Sequence, residues 1–482
     1  MTNALTLVPA PHELDIAGHW IGGATAPGDG PTMEVVSPVD GAVVATVPRG
    51  SAADVDRAVA AARAALPAWS STSPADRGAV LHRLAGELET RRERIARAIT
   101  AEIGAPIALA RAAHAGFPVA VTEAVASLAG TIAWTEEIGN SLVVREPVGV
   151  VGALTPWNFP LQQVITKIAP ALLAGNTVVL KPAETAPLTA PILAEAAAAA
   201  GLPAGALNIV HGVGAVVGEA ITTHAGIDMV SFTGSTAVGK RVAVAASDTV
   251  KRVALELGGK TANLVLPDAD LEHAVAETLA YSWTNSGQAC GAWTRLLVPA
   301  DRHDEIVAAL VDAAQAYTVG DPWDETTRLG PLASEAQWER VNAYIERGVA
   351  AGLDLVHGGP GRVPGLERGA FIRPTIFANV DPRSVVAQEE IFGPVLSVIP
   401  YHSEDEAVAI ANGTIYGLGA AVFGERDHAL AVAGRLEAGQ VYVNGGRFNP
   451  LAPFGGTKQS GTGREMGVAG VEEFTELKAI QL

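Results

Sequence analysis

Apolar residues recur along this chain with two different periods, and the alternation between them predicts its elements. Over 54–68 and 75–107 they fall three and four residues apart among Arg and Glu, the spacing of amphipathic helices, so the first third is expected to be mostly helical. The texture then shifts to short unbroken apolar runs, at 148–154, 177–181, 207–210 and 228–232, which read as buried strands. Helical segments separate them: an Ala-rich one from about 190 that stops at Gly201 and Pro203, one over 215–223, and one from 236. This strand–helix rhythm predicts a parallel sheet of dinucleotide-binding type. A second series starts near 261, with strands at 263–266, 295–298, 395–400, 420–423 and 440–444 and helices at 271–283 and 303–317. It predicts another α/β sheet, with a boundary near Gly258-Gly259. The tail from 471 to 482 is placed to add a strand to a neighbouring sheet. No fixed-period repeat interrupts the pattern.

Composition narrows the classes. A chain of 482 residues, 49% apolar, buries a sizeable core spread over two or three domains. The net charge of −18 gives no electrostatic case for a nucleic acid or an anionic membrane. The first residues lack a basic region followed by an apolar stretch, and the other apolar runs read as too short or too charged to span a bilayer, so a soluble cytoplasmic protein is expected. Metal catalysis is not indicated, because no HExxH or comparable ligand spacing occurs.

One sulfur carries the chemistry. Cys290 is the only cysteine, which rules out an intramolecular disulfide and a thiolate zinc site and fits a reducing compartment. A nucleophile or a buried filler remains, and filler is the commoner use of a free cysteine. Its context, Asn285-Ser286-Gly287-Gln288-Ala289-Cys290-Gly291, reads instead as a turn presenting a side chain. Upstream, Glu256-Leu257-Gly258-Gly259-Lys260 supplies a separate carboxylate, and the pairing suggests a thiolate nucleophile with its own base.

Other signals are weaker alone. Gly212-Val213-Gly214 with Gly218 is half of a dinucleotide fingerprint with the wrong last spacing. Phe232-Thr233-Gly234-Ser235 also runs from strand to helix and offers amides and a hydroxyl to a pyrophosphate, or serves as a plain helix cap. Asn158, in Thr155-Pro156-Trp157-Asn158-Phe159-Pro160 at a strand's carboxyl end, offers an amide to an oxyanion, or marks a turn. Lys181 and Glu184 are placed to bond ribose hydroxyls, or to form a surface pair.

Taken in order, these segments together with Glu390-Ile391-Phe392-Gly393-Pro394 and Pro453-Phe454-Gly455-Gly456 resemble the aldehyde dehydrogenase superfamily, from about Trp20 to the C-terminus. The resemblance implies an α/β fold: a Rossmann-like NAD-binding domain (1–130 and 148–257), an α/β catalytic domain (258–458) and a small β oligomerisation element (131–147 and 459–482) built on a hairpin near 133–145, in a homo-dimer or homo-tetramer. It implies that the Cys290 thiolate attacks an aldehyde, that Asn158 and the Cys290 N–H hold the oxyanion of the thiohemiacetal, and that Glu256 activates water to cleave the thioester that follows hydride loss. Lys167 and Glu465 match positions that relay the base's proton to solvent. Lys181 and Glu184 match the adenosine-ribose contacts, Gly234 and Ser235 the pyrophosphate loop beside Trp157, and Glu390 with Phe392 the nicotinamide side. A carboxylate at 184 favours NAD over NADP. Glu476 matches a residue that bridges two arginines, here Arg252 and Arg464, at a subunit contact.

Some positions depart from the family pattern. Gly291-Ala292-Trp293 places a large indole after the cysteine, and Gln163, Thr166 and Thr284 stand where bulky apolar groups are common. Phe159, Trp283, Phe448 and Phe454 keep an aromatic wall, so a medium-sized, partly polar aldehyde pocket is expected. Arg447 is positioned to meet a substrate carboxylate, although an exposed loop arginine is the commoner outcome. Two other classes compete with this reading: a cysteine hydrolase, which needs a histidine that no motif assigns to Cys290, and a catalytically silent binding protein on the same scaffold. A CoA-acylating relative would lack the base that Glu256 provides.

Overall fold

The computed structural model describes residues 14–28 and 30–482, so residues 1–13 of the expected cofactor-binding segment lie outside the described residues. Five strands form the parallel centre of an eight-stranded sheet in the order Leu207–Ile209, Thr177–Lys181, Val150–Leu154, Met229–Thr233 and Arg252–Glu256. Their apolar runs are unbroken because helices cover both faces. On one side pack Pro74–Thr90, Gly116–Ser127 and Pro160–Leu173, and on the other Ala52–Ser70 and Thr236–Ala246. Antiparallel edges close the sheet: His19–Ile21 with Ala24–Ala26 at one end, Gly461–Thr462 at the other. The strand order reverses between Val150–Leu154 and Met229–Thr233, and ligands of open α/β sheets bind at the carboxyl ends flanking such a switch point.

The second sheet has seven strands, in the order Asp354–His357, Thr375–Ala378, Val395–Tyr401, Arg295–Pro299, Ala262–Val265, Gly419–Phe423 and Gln440–Val443, all parallel except the first pair. A third, antiparallel sheet joins Thr475–Gln481 to Ser141–Pro147 and the latter to Thr135–Ile138. The segment 459–482 therefore divides: Gly461–Thr462 belongs with the large sheet, and only the last strand joins the hairpin.

Several elements differ from the sequence reading. The helix expected over 75–107 is two, Pro74–Thr90 and Arg92–Ile103, broken at Arg91 and ended by Gly104 at φ +69°. Strands Thr32–Val36 and Val43–Pro48 precede the first expected helix, in a stretch for which no strand is predicted. The run Ile107–Gly130 is, by length and composition alone, long and apolar enough to cross a membrane, contrary to expectation. It is a core helix here. A π-helical turn, Ala110–Ala115, interrupts it, and it packs against Pro74–Thr90 and Pro160–Leu173 with His114 and Thr122 buried.

Pro160–Leu173 positions the site. Pro160 starts it at the first helical position, and nearly every residue in it is buried, including Ile165, Ile168 and Leu172. Burying each of those side chains stabilises the fold by roughly 1.5–3 kcal/mol. The same burial encloses the ammonium of Lys167, which has to find a partner.

Candidate active site

The switch point opens into a cleft of about 540 Å³ bordered by Trp157, Lys181, Glu184, Gly234 and Ser235. A second space of about 250 Å³ holds Asn158, Gln163, Cys290, Glu390 and Phe392. Pro156, Trp157, Thr233, Gly234 and Ser235 border both, so one groove runs from the Glu184 carboxylate to the sulfur.

The sulfur loop owes its shape to backbone that few residues tolerate. Asn285, Ser286 and Gly287 lie in succession at φ +49°, +55° and +73°, and a Cβ on Gly287 would stand 2.3 Å from the Gly393 backbone. Buried polar bonds hold this turn. Ser286 Oγ donates to Gly330 O (2.8 Å), Gln288 Nε2 to Asn285 O (3.1 Å), and Gln288 Oε1 accepts from Ala333 N–H (2.9 Å). The turn and Asn158 fix each other: Asn285 Nδ2 donates to Asn158 O (2.8 Å), and Asn158 Nδ2 to Gln288 O (3.0 Å). An amide nitrogen carries two protons, so one anchors Asn158 and the other stays available for an oxyanion. Gly259 lets the neighbouring segment approach, since a Cβ there would lie 2.4 Å from Cys290 O.

Cys290 is half-buried, and its surroundings favour the protonated sulfur over the thiolate. Burial pushes the thiol up to about 12, helped by the negative charges of Glu390, Glu256 and Glu465 and opposed by the Gly291 N–H. No histidine is among the groups acting on it, as a cysteine hydrolase would need.

Glu256 ends the strand Arg252–Glu256, 5% exposed, with Oε2 unpartnered. Burial drives its carboxyl well above the usual range. Glu465 adds to the rise, while Lys167 and Arg464 oppose it. Lys167 Nζ donates to Glu465 Oε1 at 2.6 Å, both side chains buried. Glu465 is held by reciprocal 2.7 Å backbone bonds with Phe454, and Gly455, at φ +150°, makes room where a Cβ would reach within 2.8 Å of Glu256 Oε1. Cys290, Asn158, Glu256 and the Lys167–Glu465 pair, singled out in the sequence, are thus brought together.

The groove's far half fits a dinucleotide. Lys181 Nζ donates to Glu184 Oε2 (3.2 Å). Burial works upward on Glu184, yet Lys181 and backbone amides hold it below the usual carboxylate range. Ser235 both caps Thr236–Ala246, accepting from Val238 N–H, and borders the groove. Thr233 Oγ1, beside it, is buried with no partner. Nearer the sulfur, Glu390 Oε1 accepts from Gly259 N–H (2.9 Å), and Gly258 is a cradle in which a Cβ would meet Glu390 Oε2 at 2.5 Å. Trp157 and Phe392 meet edge-on at 5.4 Å, with Phe392 at φ +65°, an uncommon conformation for a bulky residue.

Aromatic residues gather separately. Phe448 packs against Phe117 (5.3 Å) and Phe454 (6.1 Å), and Phe159 stacks on buried His114 at 4.6 Å. Thr284 is half-buried beside the sulfur loop, while Gln163 borders the sulfur cleft. Thr166 is buried, its hydroxyl turned to Gln163 O. Trp283 is not wall but core, edge-on to Tyr317, and Trp293 likewise fills the core, stacked on Tyr281 at 4.0 Å. Arg447 is exposed. Glu476 Oε1 meets Arg252 at 3.1 Å, whereas Arg464 in the same chain donates to the carbonyls of Gly456 and Gly463.

Sequence reasoning missed Gln337 and Arg340, which border the sulfur cleft and hold the Glu390–Phe392 backbone: Gln337 Nε2 donates to Phe392 O (2.7 Å) and Arg340 Nη2 to Glu390 O (2.6 Å). Both sit on the polar face of an amphipathic helix, Glu335–Ala350, where nothing separates them from solvent-facing residues.

Comparison with known proteins agrees with this geometry. The model of the aldehyde dehydrogenase family matches residues 25–480. A 3-succinoylsemialdehyde-pyridine dehydrogenase of a Pseudomonas species is 46% identical, covering 97% of this chain and 98% of the relative. Among solved structures, aldehyde dehydrogenase C of Pseudomonas syringae, a Cys-to-Ala variant with NAD+ and octanal, superposes with a TM-score of 0.97 at 48% identity over 98% of both chains. A Mycobacterium tuberculosis aldehyde dehydrogenase with NAD+ gives a TM-score of 0.95 at 44% identity over 98% of this chain and 99% of that one.

Proposed function

This chain belongs to the aldehyde dehydrogenase family, and from that membership we propose that it oxidises an aldehyde with an extended apolar body to a carboxylic acid, using NAD, through a thioester on Cys290. The convergence of Cys290, Asn158 and Glu256 at the inner end of a dinucleotide-sized groove carries this reading. Lys181, Glu184, Gly234, Ser235 and Trp157 would hold the cofactor, with Glu390 and Phe392 at its reacting end. NAD held there would supply the hydride acceptor that conversion of a thiohemiacetal to a thioester requires.

The chain's own residues do the rest. The Cys290 proton has to leave before attack, and a carboxyl raised by burial, as at Glu256, matches a thiol better than an ordinary carboxylate does. The free N–H of Asn158 and the Cys290 N–H stabilise the oxyanion. The Lys167–Glu465 pair takes that first proton onward, which frees Glu256 to deprotonate water and cleave the thioester. A carboxylate at Glu184, already charged beside Lys181, repels a 2′-phosphate, which favours NAD over NADP.

Phe117, Phe159, Phe448 and Phe454 favour an alkyl or aryl substrate body, in line with the octanal of the related complex. We infer a cytoplasmic homo-dimer or homo-tetramer. Its support is the open three-stranded sheet, which exposes Ile138, Leu477 and Ile480, with Glu476 near the contact.

NADH absorbance with a panel of aliphatic, aromatic and carboxylate-bearing aldehydes tests the reading. The expected result is the highest kcat/KM for apolar aldehydes with NAD, abolished in Cys290→Ala and strongly reduced in Glu256→Gln. A preference for the carboxylate-bearing aldehydes would instead support Arg447 as the determinant, and a higher kcat/KM with NADP would refute the cofactor assignment.

A further inference from the structure

Gln163 lies in the first turn of Pro160–Leu173 and borders the same cleft as Cys290 and Asn158. It is 6% exposed, yet its amide oxygen has no hydrogen-bond partner. A buried acceptor left bare costs about 1–3 kcal/mol, so its presence calls for a use. The backbone around it is fully engaged: its N–H donates to Phe159 O (2.9 Å) and its carbonyl accepts from Thr166 Oγ1 (3.2 Å), which fixes the turn that aims the side chain.

The surroundings suggest what that use is. Four residues on, along the same helix face, Lys167 is paired with Glu465, and both charges act on Glu256. Glu256 precedes Leu257, which borders the cleft, and its Oε2 is also buried and unpartnered. Gln163 shares the cleft with Cys290 and the charge of Glu256 acts on the sulfur, so two bare acceptors, one an amide and one a carboxylate, belong to the residues grouped around it. Water is the one reactant that donates two protons from a single atom, and thioester hydrolysis consumes it.

We propose that Gln163 is a positioning residue for the hydrolytic half-reaction, its amide oxygen accepting one O–H of the attacking water while Glu256 takes the other proton. In that step the water oxygen bonds to the acyl carbon, the C–S bond breaks with its electron pair returning to the Cys290 sulfur, and the acid leaves. No oxidant is consumed. A neutral amide cannot take the proton, so its contribution is orientation: with both O–H bonds directed, a lone pair faces the carbon. This rests on the thioester reading and extends it to one partner of the water.

Rapid mixing with NADH detection, combined with quenching and mass measurement of acyl-Cys290, separates the two half-reactions. In Gln163→Met, similar in length but lacking the acceptor, the burst of about one NADH per sulfur should keep its rate. Steady turnover should fall about two- to tenfold, the worth of one hydrogen bond between neutral groups, and acyl-enzyme should accumulate. Hydroxylamine, a stronger nucleophile less dependent on two-point anchoring, should restore turnover as hydroxamate, and Gln163→Glu should recover part of the hydrolysis. If Gln163→Met fails to fold, Gln163→Asn, which withdraws the amide by one methylene, carries the same expectations. Burst and steady rates falling together, a change confined to the aldehyde KM, or absence of acyl accumulation would overturn the proposal. NADH formation from aldehyde retained in Cys290→Ala would instead defeat the thioester reading itself.

Discussion

Replacing Lys167 with methionine tests whether the buried ion pair behind the base acts as a unit. Lys167 and Glu465 are 2.6 Å apart with side chains only 1% and 7% exposed, so the single variant strands one charge without water. Breaking a buried pair this way costs about 3–5 kcal/mol, whereas an exposed pair such as Arg252–Glu476 is worth below about 1 kcal/mol. Unfolding entropy of roughly 2.1 cal/mol/K per residue, over 482 residues, amounts to about 1 kcal/mol per degree, so calorimetry should show Tm falling by about 3–5 °C. Removing both charges in Lys167→Met/Glu465→Leu should restore most of that loss, because no buried charge is left alone. Catalysis should follow the same logic with its own sign. Lys167 opposes the rise of the Glu256 carboxyl, so without it that carboxyl rises further and the acid limb of the pH–kcat profile moves to higher pH. In the double variant an opposing and a reinforcing charge vanish together, and the limb should return towards its original position. Equal destabilisation of the single and double variants, or an acid limb unmoved in Lys167→Met, would refute the reasoning.

Two further outcomes follow from the geometry. Because the Cys290 thiol is pushed up to about 12 by burial and three carboxylates, its alkylation by iodoacetamide in the free enzyme should climb about tenfold per pH unit through the ordinary cysteine range near 8.5 without a plateau, and faster at any given pH in Glu390→Gln; a plateau near 8.5 would contradict the carboxylate surround. Gly258→Ala and Gly287→Ala should separate function from folding: at Gly258 the new methyl meets the movable end of Glu390, raising the NAD KM about tenfold at near-parental Tm, while at Gly287 it meets backbone at positive φ and should destabilise by more than about 2 kcal/mol. Equal Tm losses in the two variants would count against that distinction.

The parts of the fold legible in the sequence are those buried on both faces. The strands Thr177–Lys181 and Met229–Thr233 are unbroken apolar runs, visible because covering helices leave no polar alternation to confuse with another period. The pair Thr32–Val36 and Val43–Pro48 has no such run: the buried Val35, Ala45 and Val47 are interrupted by exposed or half-buried Glu34, Val36 and Thr46, so the apolar signal is short and broken. The break at Arg91 left no mark because neither Gly nor Pro makes it. Trp293 was legible as an anomaly but not as a location, since periodicity cannot say whether an indole one residue beyond a turn faces the pocket or the core beneath it.

The site divides along a similar line. Residues on loops that follow strands, such as Asn158, Lys181 and Ser235, sit in local patterns that name them, because the backbone there has to take particular turns. What local sequence cannot carry is the charge that distant segments bring to one atom. Cys290 is flanked in the chain by Ala289 and Gly291, neither charged, and that context favoured a reactive thiolate; reactive cysteines usually sit in electropositive surroundings. The fold half-buries the sulfur and brings Glu256, Glu390 and Glu465 to it from three separate segments, and both effects raise the thiol. That surround changes what the base has to do. A sulfur already ionised would need Glu256 only for water, but a sulfur held as a thiol needs a proton acceptor at the first step as well. In the proposed mechanism, a carboxyl lifted by burial, with a buried ammonium and carboxylate behind it to pass the proton on, would supply that acceptor at both ends of the reaction.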